Sequence, residues 1–121
     1  MNKSCFILIA HGSKKPEWAT PFRKLTDDLR KELGDDAVYL CFMENAKPTL
    51  LEIAPQIMQT SIRKCRLVPL FMAKGNHFRQ DIPALIEQMK GAYPELETEL
   101  LEPIGLHPLF FELMGNVIKS L

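Results

Sequence analysis

Three side chains able to bind a transition metal follow three apolar, strand-like runs. His11 directly follows residues 5–10, Glu44 lies two residues beyond 37–42, and His77 comes six residues after 67–71. Two neutral imidazoles and a carboxylate suit a borderline divalent ion such as Fe, Co, Ni or Zn. The separations along the chain are long, so only a fold that gathers three loops can make one site of them. Singly, each has a plainer reading: His11 as a turn histidine bonded to backbone, Glu44 as a surface carboxylate, His77 as an ordinary loop histidine. Their common position just past a strand is what points to a metal.

The same loops carry Lys14, Lys15, Lys47, Lys74 and Arg79. They form either a solvated rim or an anion-binding one. Formal net charge is zero, with 15 basic and 15 acidic residues, so positive charge is concentrated here locally. Gly12-Ser13 permits a tight turn, but a single glycine is not a phosphate loop. Met43, Phe71, Met72 and Phe78 can supply a flat apolar wall or simply belong to the core. His107, before Pro108, reads as a capping or surface residue.

The elements that must position these residues alternate from end to end. Residues 5–10 read as a buried strand. Trp18, Phe22, Leu25, Leu29 and Leu33 mark one helical face, with Pro21 in the first turn and Gly34 as the stop. Residues 37–42 form a second strand. Apolar positions from Leu50 to Ile62 suggest a second helix, which Pro55 should kink or interrupt. Residues 67–71 are the third strand, where Pro69 implies an edge or an irregularity. Asp81 lies in the N-cap region of a helix lined by Ile82, Leu85, Ile86 and Met89, with Pro83 in its first turn. Residues 97–101 are a fourth strand. Leu109, Phe110, Leu113, Met114, Val117, Ile118 and Leu121 give the clearest helical stripe of all.

Four strand–helix repeats predict an α/β fold: a three-layer sandwich with a four-stranded, mainly parallel, flavodoxin-like sheet and right-handed crossovers. A chain of 121 residues makes one domain, 1–121. Parallel strands end on one edge, where such sheets bind ligands, so His11, Glu44 and His77 should converge there.

Composition excludes other classes. No apolar stretch approaches the roughly 18 residues of a membrane span. Residues 5–10 have a strand's length rather than a signal sequence's, so the expected location is cytoplasmic. Balanced charge gives no basic field for nucleic acid. Cys5, Cys41 and Cys65 lack metal-ligand spacing and read as buried free thiols in a reducing compartment.

Residues 9–13 (Ile-Ala-His-Gly-Ser), Phe42-Met43-Glu44 with Pro48, and Gly75-Asn76-His77 with Asp81-Ile82-Pro83 together resemble the class II tetrapyrrole chelatases. The closest type is the short, CbiX-like sirohydrochlorin chelatase. The similarity spans nearly the whole chain, and Gly-x-His-x-x-x-Asp-Ile-Pro is its most specific element. The resemblance implies insertion of Co, Fe or Ni into sirohydrochlorin, on routes to cobalamin, sirohaem or a nickel cofactor. The metal is then substrate, and no organic cofactor is expected. It also implies homodimers, since long members carry two such modules with the substrate between them. By position His11 and His77 would hold the metal and accept pyrrole protons, with Glu44 as auxiliary base or third ligand. Ser13, Lys14, Lys15 and Arg79 would meet the macrocycle's carboxylates. Both histidine roles need the neutral ring, whose unperturbed pKa is about 6.5, so activity should fall on acidification. Lys74 departs from the small or apolar residue expected before Gly75; its ammonium would oppose a bound cation unless it points away or pairs with a carboxylate. A non-catalytic metal or tetrapyrrole carrier of the same fold is the alternative, and an interaction domain with chance histidines is a more distant one.

Overall fold

The computed structural model describes residues 3–121, His77 by its backbone alone. Strands and helices alternate: β1 (Lys3–Ala10), α1 (Thr20–Leu33), β2 (Val38–Phe42), α2 (Leu50–Met58), β3 (Ile62–Pro69), α3 (Ile82–Ala92), β4 (Glu97–Leu100) and α4 (Pro108–Ser120). Short 3-10 turns occupy Pro16–Ala19 and Ile104–Leu106, and a π turn, His77–Asp81, leads into α3. The strands form one sheet in the order β2-β1-β3-β4, every pair parallel.

This order fixes where the helices go. From β1 the chain moves one way to β2, then back past β1 to β3 and on to β4. Right-handed crossovers in opposite directions put their helices on opposite faces. One face is therefore covered by α2 and α3, whose Leu50, Ile53, Ile57, Ile82 and Met89 pack with Ile7, Ile9, Cys41 and Leu67. The other, smaller core joins Leu8, Val38, Leu40 and Phe42 to Ala19, with Phe22 and Leu29 of α1. The direction reverses between β1 and β3, which makes their C-terminal ends the switch point of the sheet.

Several expectations are corrected. The second helix was expected to run to Ile62, but α2 stops at Met58. The Thr60 hydroxyl donates to the Ile57 carbonyl (2.6 Å) and accepts from the Ile62 N–H (3.1 Å), which ends the helix and starts β3. Pro55 lies inside α2 without interrupting it. β3 thus begins five residues earlier than expected, and its buried positions include Ile62, Cys65, Leu67 and Pro69. It is an interior strand despite Pro69. The Leu70 N–H points to the Ile9 carbonyl (2.8 Å), so Pro69 turns its nitrogen toward the β4 side, where β4 has already ended at Leu100. Asp81 precedes α3 in helical conformation, already part of the π turn, and makes no side-chain cap there.

The apolar stripes of α1 and α4 are the other surprise. In α1 the inward face is rotated by about one residue, so Thr26 is buried, its hydroxyl donating to the Phe22 carbonyl (2.8 Å), while Leu25 and Leu33 are exposed, as is Trp18 in the 3-10 turn before the helix. α4 contributes no buried residue at all: Leu109 and Ile118 are each 66% exposed and Phe111 54%.

Candidate active site

Beyond the last β1 residue the chain turns at Gly12, whose φ of 96° is in the left-handed region that glycine tolerates. A Cβ at this position would overlap the Glu44 carbonyl. With hydrogen in its place, the two loops lie side by side: the Met43 N–H donates to the Ala10 carbonyl (2.9 Å) and the Glu44 N–H to the His11 carbonyl (3.0 Å). Asn45, at φ 61°, turns the second loop back, and the Phe42 N–H donates to the Pro48 carbonyl (2.9 Å).

His11 is half-buried and lines a cavity of about 400 Å³ whose other walls come from residues 70–76 and Phe78. Its imidazole stacks on Phe71, ring centroids 4.2 Å apart and planes at 27°. The segments on either side of His77 thus line the same cavity as His11. The His77 side chain, the second expected ligand, lies outside the described residues.

Glu44 is exposed and lines a neighbouring cavity of about 330 Å³ with Met43, Asp81, Ala84 and Leu85. The structure therefore pairs the backbones of the His11 and Glu44 loops, but the two residues line different cavities. Among the described residues no group of three His, Cys, Asp or Glu side chains is placed to hold a metal ion. The expected rim is exposed: Lys14, Lys15 and Arg79 all face solvent. Ser13 Oγ accepts from the Lys15 N–H (3.2 Å), and Arg79 Nε donates to the Lys74 carbonyl (3.4 Å). His107 accepts the Leu109 N–H at Nδ1 (3.1 Å) and caps α4, as expected.

Lys74 is answered by a residue the sequence did not single out. Its Nζ lies 2.9 Å from Glu102 Oε2 and 5.7 Å from the centre of the Phe78 ring. The carboxylate offsets the ammonium beside the His11 cavity. Phe71 had been placed only as wall or core, and Gly105, whose N–H donates to the Phe71 carbonyl (2.9 Å), gave no sequence signal beyond being glycine.

A family model described as CbiX matches residues 5–121. The chain belongs to the CbiX family. Within that family it is 36% identical to the sirohydrochlorin cobaltochelatase of Saccharolobus solfataricus, over 93% of this chain and 88% of that protein. It is 32% identical to the sirohydrochlorin cobaltochelatase of Sulfurisphaera tokodaii, over 94% and 90%. A CbiX protein from Marinobacter aquaeolei VT8 superposes with a TM-score of 0.85 at 31% identity, covering 98% of this chain and 96% of that one. The cobalt complex of the sirohydrochlorin chelatase SirB from Bacillus subtilis subspecies spizizenii has the same fold, with a TM-score of 0.84 at 18% identity. There this chain is covered to 98% but spans 51% of its counterpart.

Proposed function

We propose that this CbiX-family chain is a sirohydrochlorin metal chelatase: one divalent ion, Co, Fe or Ni, enters the macrocycle and two pyrrole protons leave. The observation that carries the reading is a near full-length match to sirohydrochlorin cobaltochelatases in a chain whose His11 lines a cavity at the switch point of the sheet. His11 and His77 bind the metal and accept the protons, and Glu44, one loop away, serves as auxiliary base. Ser13, Lys14, Lys15 and Arg79 meet the carboxylates at the macrocycle rim. Met72, 58% exposed beside His11, offers an apolar surface to the flat ring.

The working unit is a homodimer of single domains, 1–121. A macrocycle has two faces, and one sheet edge supplies a wall for only one of them. A second copy related by a twofold axis supplies the other. Cys5, Cys41 and Cys65 are free and buried, which suits a reducing cytoplasm.

The test is metallation of sirohydrochlorin by Co²⁺, followed by absorbance with substrate in excess over protein. Many turnovers are expected from the wild type and a loss of at least about 100-fold for His11→Ala and His77→Ala. Product that stops at one equivalent would identify a carrier instead. Folded His77→Ala working at the wild-type rate would remove His77 from the site.

A further inference from the structure

We propose that Phe71 is a positioning residue for His11, its ring setting the plane in which the imidazole meets the metal. The inference rests on His11 being a metal ligand, and it adds what holds that ligand. Beyond β1, His11 immediately precedes the Gly12 turn, is half-buried and lines the cavity. The stack on Phe71, at 4.2 Å, restricts the orientation of the imidazole.

For that restriction to matter, Phe71 must itself be fixed, and the structure fixes it three ways. Its side chain is 5% exposed and belongs to the core beneath α2 and α3. On one side the Leu70 N–H is held by the Ile9 carbonyl (2.8 Å); on the other the Phe71 carbonyl accepts the Gly105 N–H (2.9 Å). A Cβ at position 105 would overlap the Met72 backbone, so the turn at Ile104–Leu106 packs directly on the chain after Phe71. The same β4–α4 connection supplies Glu102 to Lys74, a second tie to this loop. Phe71 is therefore a rigid support beneath a ligand that stands on a turn. Hydrogen-bonding partners that orient metal ligands typically change metal affinity 10–100-fold when removed, and a stacked ring that fixes the same orientation is expected at the low end of that range.

The experiment uses the full chain and Co²⁺ alone, read by its ligand-field absorption, with wild type, Phe71→Leu, Phe71→Tyr, His11→Ala and the Phe71→Leu/His11→Ala double variant. Phe71→Leu is expected to weaken Co²⁺ binding about 10-fold and to shift the absorption bands, while Phe71→Tyr, which keeps the ring, restores both. In the His11→Ala background Phe71→Leu should add no further loss, because its effect passes through His11. Equal losses in both backgrounds would show a merely structural role and overturn the proposal, as would a wild-type spectrum and affinity for Phe71→Leu. His11→Ala binding Co²⁺ like the wild type would refute the ligand assignment itself, a different result from the other two. Should Phe71→Leu not fold, proton NMR of the wild type decides. The His11 ring protons, identified by their absence in His11→Ala, should lie upfield of those of His107 because of the Phe71 ring; unshifted signals would overturn the proposal.

Discussion

Gly12 is where one residue decides whether two loops can meet. Its φ of 96° and the Glu44 carbonyl in the place of its missing Cβ both exclude a side chain. Gly12→Ala is expected to destabilise the fold by about 1–3 kcal/mol and to separate the His11 and Glu44 loops. Thermal unfolding and Co²⁺ titration would read the two effects. The thiols give a second prediction. Burial pushes the Cys41 thiol up to about 12, and the Cys5 thiol, hydrogen-bonded to Cys65 and buried, is also pushed up. At pH 8 Cys41 and Cys5 should therefore react with a thiol reagent only as fast as the protein unfolds; immediate modification of the folded chain would contradict this. The candidate ligands were legible here, because histidine and glutamate after apolar runs are visible in one dimension. Phe71 and Glu102 were not. Their roles depend on which ring lies under His11 and which carboxylate reaches Lys74, and both are contacts between separate strand ends.

At the scale of elements, α2 opens with a capping box. Thr49 Oγ1 accepts from the Glu52 N–H (3.3 Å), and the Thr49 N–H donates to Glu52 Oε1 (3.0 Å). The hydrogen bonds from the Thr49 backbone and side chain hold the Glu52 carboxyl below the ordinary glutamate range. Its folded pKa is depressed, so its stabilisation is fully present above the unfolded value of about 4.3 and is lost as pH falls through the folded one. Glu52→Gln should melt lower than the wild type at pH 7, and the gap should narrow as pH is taken below about 4. A gap that stays constant with pH would contradict this account. The order of the elements followed from the sequence, since apolar runs and helical stripes alternate. The α2–β3 boundary did not, because the apolar residues from Leu50 to Ile62 continue through a turn made by one threonine hydroxyl. Pro69 misled in a similar way: it lies in an interior strand because the neighbouring strand stops short of it.

For the whole molecule, the exposed apolar face of α4 is the feature that bears on assembly. Thirteen residues with Leu109, Phe111, Leu113, Val117 and Ile118 exposed stand beside an apolar hollow of about 430 Å³ lined by Val68, Leu101, Ile104 and Leu106. The proposed homodimer would be consistent with a second copy covering this helix. Leu113→Glu/Val117→Glu should then shift the sedimenting species from dimer to monomer, leave the secondary structure seen by circular dichroism in place, and reduce metallation at least about 10-fold. A wild-type monomer with full activity would defeat the dimer. By itself the sequence determined the α/β class, the strand–helix order and the chemistry available at the strand ends, because periodicity and residue type are properties of a line. Only the tertiary structure decided that α4 lies outside the core, that Lys74 is answered by Glu102 and that His11 rests on Phe71. Each depends on how strands far apart in sequence are placed in the sheet, and strand order follows from crossovers and packing that no local pattern encodes.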